Sequence, residues 1–148
     1  MVPCGSRPDK KRLMPAKHRL EMAYRAVEDY FPRGYPIKVD DTEVQNGIQI
    51  PTFDLLQGFQ EKYKDHKFHF MMGSDLIPGL SSWNEKMVTD VSFIIFDRKG
   101  YEHILDPSVP KDFPMPTNYV AVKASDNLIG MISSTEVRKR ITEAKQEE

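Results

Sequence analysis

Apolar positions along the chain change period several times. Leu20, Ala23, Tyr24, Val27, Tyr30 and Phe31 recur at helical spacing, which predicts an amphipathic helix from about Pro15 to Tyr30. Pro15 suits its first turn, and Pro32 and Gly34 stop it. Pro36 to Asp41 reads as a short strand with Ile37 and Val39 on one face. A second helix starts near Thr52, taken as its N-cap, and buries Leu55, Leu56, Phe59 and Tyr63. Lys67 to Met72 reads as a strand that breaks at Gly73. Val91 to Phe96 is an apolar run bounded by turns, the mark of a strand buried on both faces. Tyr119 to Val122 is a shorter strand, and Met131 to Lys145 closes the chain with a helix. Four prolines between Asp106 and Pro116 make that stretch an irregular loop. Strands alternating with helices predict an α/β fold with a mainly parallel sheet.

Composition narrows the class. At 148 residues the chain has one domain's length, so residues 1–148 are expected to form a single domain. Hydrophobic residues make up 39%, too many for a disordered chain. No apolar run reaches the roughly 20 residues of a membrane span. The net charge of −1 argues against a general nucleic-acid binder but leaves room for local cations on one phosphate. The opening residues contain no apolar signal segment. One cysteine, Cys4, cannot form an internal disulfide and fits a reducing, intracellular compartment. Four scattered histidines (His18, His66, His69, His103) give no zinc spacing, so no protein metal site is expected.

Ligands of α/β sheets sit beyond the carboxyl ends of strands. Three segments carry candidate chemistry. In Ile132-Ser133-Ser134-Thr135-Glu136-Val137-Arg138, Ser133 is placed as an N-cap with Glu136 completing a capping box. Free N–H groups, the helix dipole and three hydroxyls would seat a phosphate. Arg138 lies one turn from Ser134 and could fork onto the same anion. Ordinary capping with a surface Arg explains the same residues. The Met71-Met72-Gly73-Ser74-Asp75 segment ends a strand at Gly and offers a carboxylate to ribose hydroxyls, though such a pair also makes a simple turn. Trp83 could stack on a flat ring or serve as core. Lys10, Lys11 and their neighbours form a cationic loop that could equally be a solvated surface.

Taken in order, these segments resemble the nicotinamide/nicotinate mononucleotide adenylyltransferases of the nucleotidyltransferase superfamily. Asp9-Lys10-Lys11-Arg12, followed by Arg19-Leu20-Glu21-Met22-Ala23, is similar to the family's Lys-rich loop and Arg-x-x-Met-x helix. Pro51-Thr52-Phe53-Asp54-Leu55-Leu56 resembles its Tyr-Thr-x-Asp-Thr-Leu helix start, and Gly73-Ser74-Asp75 with Trp83 its Gly-x-Asp…Trp signature. Arg98-Lys99-Gly100-Tyr101 resembles its Arg-x-Gly-Tyr turn, and residues 132–138 its Ile-Ser-Ser-Thr-x-x-Arg phosphate motif.

The resemblance implies a Rossmann-like nucleotidyltransferase fold with helices on both faces of the sheet. It implies adenylyl transfer from ATP to nicotinamide or nicotinate mononucleotide, with Mg²⁺ carried on the ATP. Ser133, Ser134, Thr135 and Arg138 would hold the ATP phosphates. Lys10, or Lys11 in a shifted register, would meet the mononucleotide phosphate. Gly73 and Asp75 would line the nucleotide groove, Trp83 would stack on the pyridine ring, and Thr52 and Arg98 would complete the pocket. The family opens with a strand and a Gly-x-Phe-x-Pro-x-His-x-Gly-His motif whose histidines polarise the ATP phosphates. These 148 residues do not contain that motif, and Pro51 stands where many members have an aromatic residue. The expectation is therefore a domain N-terminally incomplete relative to the family, with its first strand missing. It would be aggregation-prone alone, with no catalytic residue identified and slow turnover. The alternative is a degenerate member that binds nucleotides or partner proteins without catalysis. Nicotinamide against nicotinate, cytoplasm against nucleus, and a homo-oligomer against a monomer stay open.

Overall fold

The computed structural model describes residues 1–11, 13–123 and 134–144, which form two compact units, Met1–Leu55 and Leu56–Glu148. Helix α1 spans Ala16–Tyr30, α2 Thr42–Gln45 and α3 Thr52–Lys62. Strand β1 (His69–Gly73) runs into a 3-10 helix over Ser74–Ser82, followed by α4 (Lys86–Asp90) and strand β2 (Ser92–Phe96). A 3-10 turn at Glu102–Ile104, strand β3 (Asn118–Val122) and helix α5 (Ser134–Ala144) complete the order.

The three strands form a parallel sheet in the order β1-β2-β3. Register aligns Gly73, Phe96 and Val122 at its carboxyl edge. Only β2 has neighbours on both sides among the described residues. Phe93 and Ile95 on β2 are fully buried, and Ile94 and Phe96 on the opposite face are half-buried, so both faces are covered as the apolar run predicted. Phe70 and Phe93, partners in register, meet edge-to-face at 6.2 Å. Around them Met72, Ile77, Leu80, Met87, Val88, Val91 and Ile104 close the core. Each such side chain contributes about 1.5–3 kcal/mol on full burial. The proline-rich stretch is irregular as expected. Its end is tied down where the Thr117 amide donates to the Val88 carbonyl at 2.9 Å and Asn118 Nδ2 donates to Ser92 Oγ at 2.6 Å.

In the first unit several expectations change. No apolar residue of α1 is buried: Leu20, Ala23 and Val27 are half-buried, Tyr24 and Tyr30 (82%) are exposed, and Phe31, just past the helix end, is exposed in part. The stripe is narrower than periodicity alone implied, because aromatic rings satisfy a helical spacing whether or not a surface covers them. Pro36–Asp41 is not a strand of the sheet. Its alternation survives, with Ile37 and Val39 half-buried and Lys38 exposed. The Met1 amino group donates to the Lys38 carbonyl at 2.7 Å and the Asp40 amide donates to the Met1 carbonyl at 2.8 Å. Those two bonds straddle Val39 in the manner of a parallel pair, too short a run to make a ladder. Helix α3 begins at Thr52, and the Leu55 amide bonds the Pro51 carbonyl at 3.0 Å, so the cap position falls on Pro51 rather than Thr52. Of its predicted buried side, Leu55, Leu56 and Phe59 are half-buried and Tyr63 is exposed.

Candidate nucleotide site at the carboxyl edge of the sheet

Strand β1 ends at Gly73, where the chain turns into the 3-10 helix, and β2 ends one residue before Asp97-Arg98. This brings Gly73, Ser74, Asp75 and Arg98 together. Ser74 is fully buried and joins the two strand ends. Its hydroxyl accepts the Arg98 amide at 3.1 Å and donates to the Tyr101 carbonyl at 3.3 Å. Arg98 Nε lies 3.7 Å from Asp75 Oδ1, with about 30% of each side chain exposed (31% and 28%). That Oδ1 is buried and has no hydrogen-bond partner. A carboxylate oxygen so placed is a free acceptor beside a cation.

Gly73 is extended (φ −83°, ψ 153°), so its backbone does not demand glycine. Space does. A Cβ there would fall 2.3 Å from Asp75 Oδ1 and 2.6 Å from Arg98 Cδ. The glycine keeps the strand end low enough for the two charged side chains to cross it.

Trp83 lies just past the far end of the 3-10 helix from Asp75, 41% exposed, its ring edge-to-face with Phe70 at 6.3 Å. It is neither wholly buried nor free of the core. On α5, Arg138 Nη1 donates to Ser134 Oγ at 3.4 Å, so the predicted common face of these residues is present, with Thr135 exposed beside them. Glu136 turns along the helix to Arg140, which donates at 2.9 Å. That hydrogen bond holds the Glu136 carboxyl below its ordinary pKa. Ser133, and with it the predicted cap, lies outside the described residues. In the first unit Lys10 and Lys11 are exposed and Thr52 is half-buried. A cleft of about 510 Å³ after α1, lined by Val27, Phe31, Tyr35 and Ile37 among others, contains none of the predicted site residues.

Sequence reasoning did not single out Ser74. Its signal was the middle position of Gly-x-Asp, where only a small polar residue can be buried and bond two backbones. Among the described residues no three His, Cys, Asp or Glu side chains converge as a metal cage, and no helix is long and apolar enough to cross a membrane.

The model of the cytidylyltransferase-like proteins matches residues 1–140. The chain belongs to this family. Curated relatives include probable nicotinate-nucleotide adenylyltransferases of Clostridium novyi (29% identity, 95% of this chain and 70% of the relative) and Clostridium acetobutylicum (29%, 96% and 70%). Among solved structures, Plasmodium falciparum nicotinic acid mononucleotide adenylyltransferase complexed with NaAD is similar at 33% identity and a TM-score of 0.72. The same enzyme complexed with APC is similar at 30% and 0.68. Both matches cover 93% of this chain, which spans 66% and 65% of those chains, just under two thirds of their length. The three-stranded parallel sheet is thus part of a Rossmann-like nucleotidyltransferase fold, as expected.

Proposed function

We propose that the chain serves adenylyl transfer from ATP to nicotinate mononucleotide, a step of NAD biosynthesis in the cytoplasm. The observation that carries this reading is the likeness, over 93% of the chain, to an enzyme complexed with NaAD. The free Asp75 oxygen at the carboxyl edge of the sheet supports it. Nicotinate is preferred to nicotinamide because the relatives are named for nicotinate.

In this reaction a phosphate oxygen of the mononucleotide attacks the α-phosphorus of ATP. The new phosphoanhydride forms as the bond to the β-phosphate breaks, and pyrophosphate leaves with the electron pair. Little covalent work falls to the protein; positioning and charge neutralisation do most of it. Asp75 accepts hydrogen bonds from nucleotide hydroxyls while Arg98 fixes its orientation. Gly73 lets the nucleotide approach the strand end. Trp83 offers a ring face to the pyridine, with Thr52 at the carboxylate end. Lys10 or Lys11 neutralises the mononucleotide phosphate. Ser133, Ser134, Thr135 and Arg138 hold the triphosphate, which enters as its Mg²⁺ complex.

The test is pyrophosphate release by the chain with MgATP and nicotinate mononucleotide, alongside calorimetric titration of each nucleotide. Binding of both nucleotides and formation of the dinucleotide supports the proposal, and Arg138→Ala should weaken ATP binding. Binding of neither refutes it. Binding of ATP without turnover selects the non-catalytic nucleotide-binding reading.

A further inference from the structure

The first unit is held together in an unusual way. Its two buried described residues are Gly5 and Glu43, not aliphatic side chains. They are bonded to each other, the Gly5 amide donating to Glu43 Oε2 at 2.8 Å. A Cβ on Gly5 would lie 2.1 Å from the Ile48 carbonyl oxygen and 2.7 Å from that of Glu43. Both are backbone atoms that cannot swing away, so this peptide is held tightly against 43–48.

Arg19, in the first turns of α1, reaches the same peptide from the other direction. Its Nη2 donates to the Gly5 carbonyl at 2.9 Å and its Nη1 to the Cys4 carbonyl. Its Nε donates to the Met14 carbonyl at 2.9 Å. One guanidinium therefore ties residues 4–5 to residue 14, both ends of the loop that carries Lys10 and Lys11. Between these ends the loop is folded into closed turns. Arg7 pairs with Asp9 through two bonds, at 3.0 and 2.6 Å. The Lys10 amide donates to the Arg7 carbonyl at 3.0 Å, and the Leu13 amide to the Lys10 carbonyl at 2.9 Å. A planar fork with five donors can serve three carbonyls at once; an ammonium on a flexible stem cannot hold that geometry.

We propose that Arg19 is a positioning residue. It staples the two ends of the 4–14 loop so that the lysine cations are presented, already ordered, to the phosphate of a mononucleotide. The substrate part of this inference rests on the function proposed above; the staple itself does not. Pre-ordering matters because a flexible lysine pair loses side-chain and loop entropy on binding, which lowers the affinity it delivers.

The test has two arms. Nicotinate mononucleotide and nicotinate riboside, which lacks the phosphate, are titrated by calorimetry into the full chain and into its Arg19→Ala, Arg19→Lys and Arg25→Ala variants. Amide exchange is followed in parallel at Lys10, Leu13 and the α1 residues Ala23–Val27. In the wild-type chain the mononucleotide is expected to bind at least about tenfold more tightly than the riboside, the return on charge-assisted bonds to phosphate. Arg19→Ala should remove most of that ratio, leave riboside affinity unchanged and speed exchange at Lys10 and Leu13 while α1 stays protected. Arg19→Lys keeps the charge and the aliphatic stem and should fail in the same way to a lesser degree, which carries the test if Arg19→Ala also loosens α1. Arg25, paired on the surface with Glu21, should behave as wild type when replaced.

Equal weakening of both ligands, or unchanged exchange at Lys10 and Leu13, overturns the proposal. A wild-type chain that does not prefer the mononucleotide, yet loosens its loop in Arg19→Ala, overturns the phosphate role and the substrate reading together and leaves only the staple.

Discussion

Replacing Gly73 by alanine separates the candidate site from the stability of the sheet. The backbone at Gly73 is extended and accepts alanine without strain. The added methyl would stand 2.3 Å from Asp75 Oδ1 and 2.6 and 3.1 Å from Arg98 Cδ and Cγ. Asp75 must therefore retreat by about 1 Å to reach ordinary contact, and Arg98 must shift with it. Both side chains are partly exposed and can swing toward solvent. Their pair, at 3.7 Å, is of a kind worth about 0–1 kcal/mol after screening. Against that loss, alanine within a strand gains about 0.5–1 kcal/mol over glycine. The two nearly cancel, so folding stability should change by less than about 1 kcal/mol and Tm by only a few degrees.

Binding should respond quite differently. A lost hydrogen bond to a charged group costs about 1.5–3 kcal/mol, or roughly 10- to 150-fold in Kd. Thermal unfolding followed by circular dichroism and calorimetric titration with nicotinate mononucleotide and ATP measure the two quantities on one preparation. An unchanged Kd with an unchanged Tm would show that Asp75 and Arg98 do not touch the nucleotide. A fall of several kcal/mol in stability would show that their side chains cannot move aside, and would refute the packing argument itself.

Three further outcomes are expected. Ser74→Ala leaves the Arg98 amide and the Tyr101 carbonyl without their buried partner, so it should cost about 1–3 kcal/mol and lower the denaturant midpoint without changing the slope; an unchanged midpoint would mean water replaces the hydroxyl. Trp83, 41% exposed, should change its fluorescence on titration with nicotinate mononucleotide and not with ribose 5-phosphate; the same response to both would remove the ring from the pyridine pocket. Arg7 donates two hydrogen bonds to Asp9 and holds its carboxyl below the ordinary 3.8. A depressed folded pKa means the pair's stabilisation is complete above 3.8 and fades as pH falls through the lower folded value. Carboxyl-carbon NMR should place the Asp9 midpoint below 3.8, and Arg7→Ala should return it there; a midpoint at or above 3.8 in the intact chain refutes the pairing.

Periodicity alone sufficed for the parts of the fold whose signal is local. The run Val91–Phe96 bears the mark of a strand covered on both sides, and Ser92–Phe96 is the middle strand of the described sheet. Pro32 stopped its helix through its own backbone chemistry, and the one-turn spacing of Ser134 and Arg138 put them on one face. Tertiary structure decided what depends on a partner distant in sequence. Tyr24 and Tyr30 fit a buried stripe perfectly well as a pattern, but Tyr24 is only partly covered and Tyr30 stands almost fully exposed. Pro36–Asp41 alternates as a strand does, yet a strand exists only through its ladder, and only Met1 bonds to it in that manner. Arg98 reaches Asp75, and Ser74 ties the two strand ends, because the parallel register sets Gly73 level with Phe96. Arg19 staples a loop five to fifteen residues upstream through carbonyl groups, and carbonyls carry no side-chain identity for a sequence pattern to register.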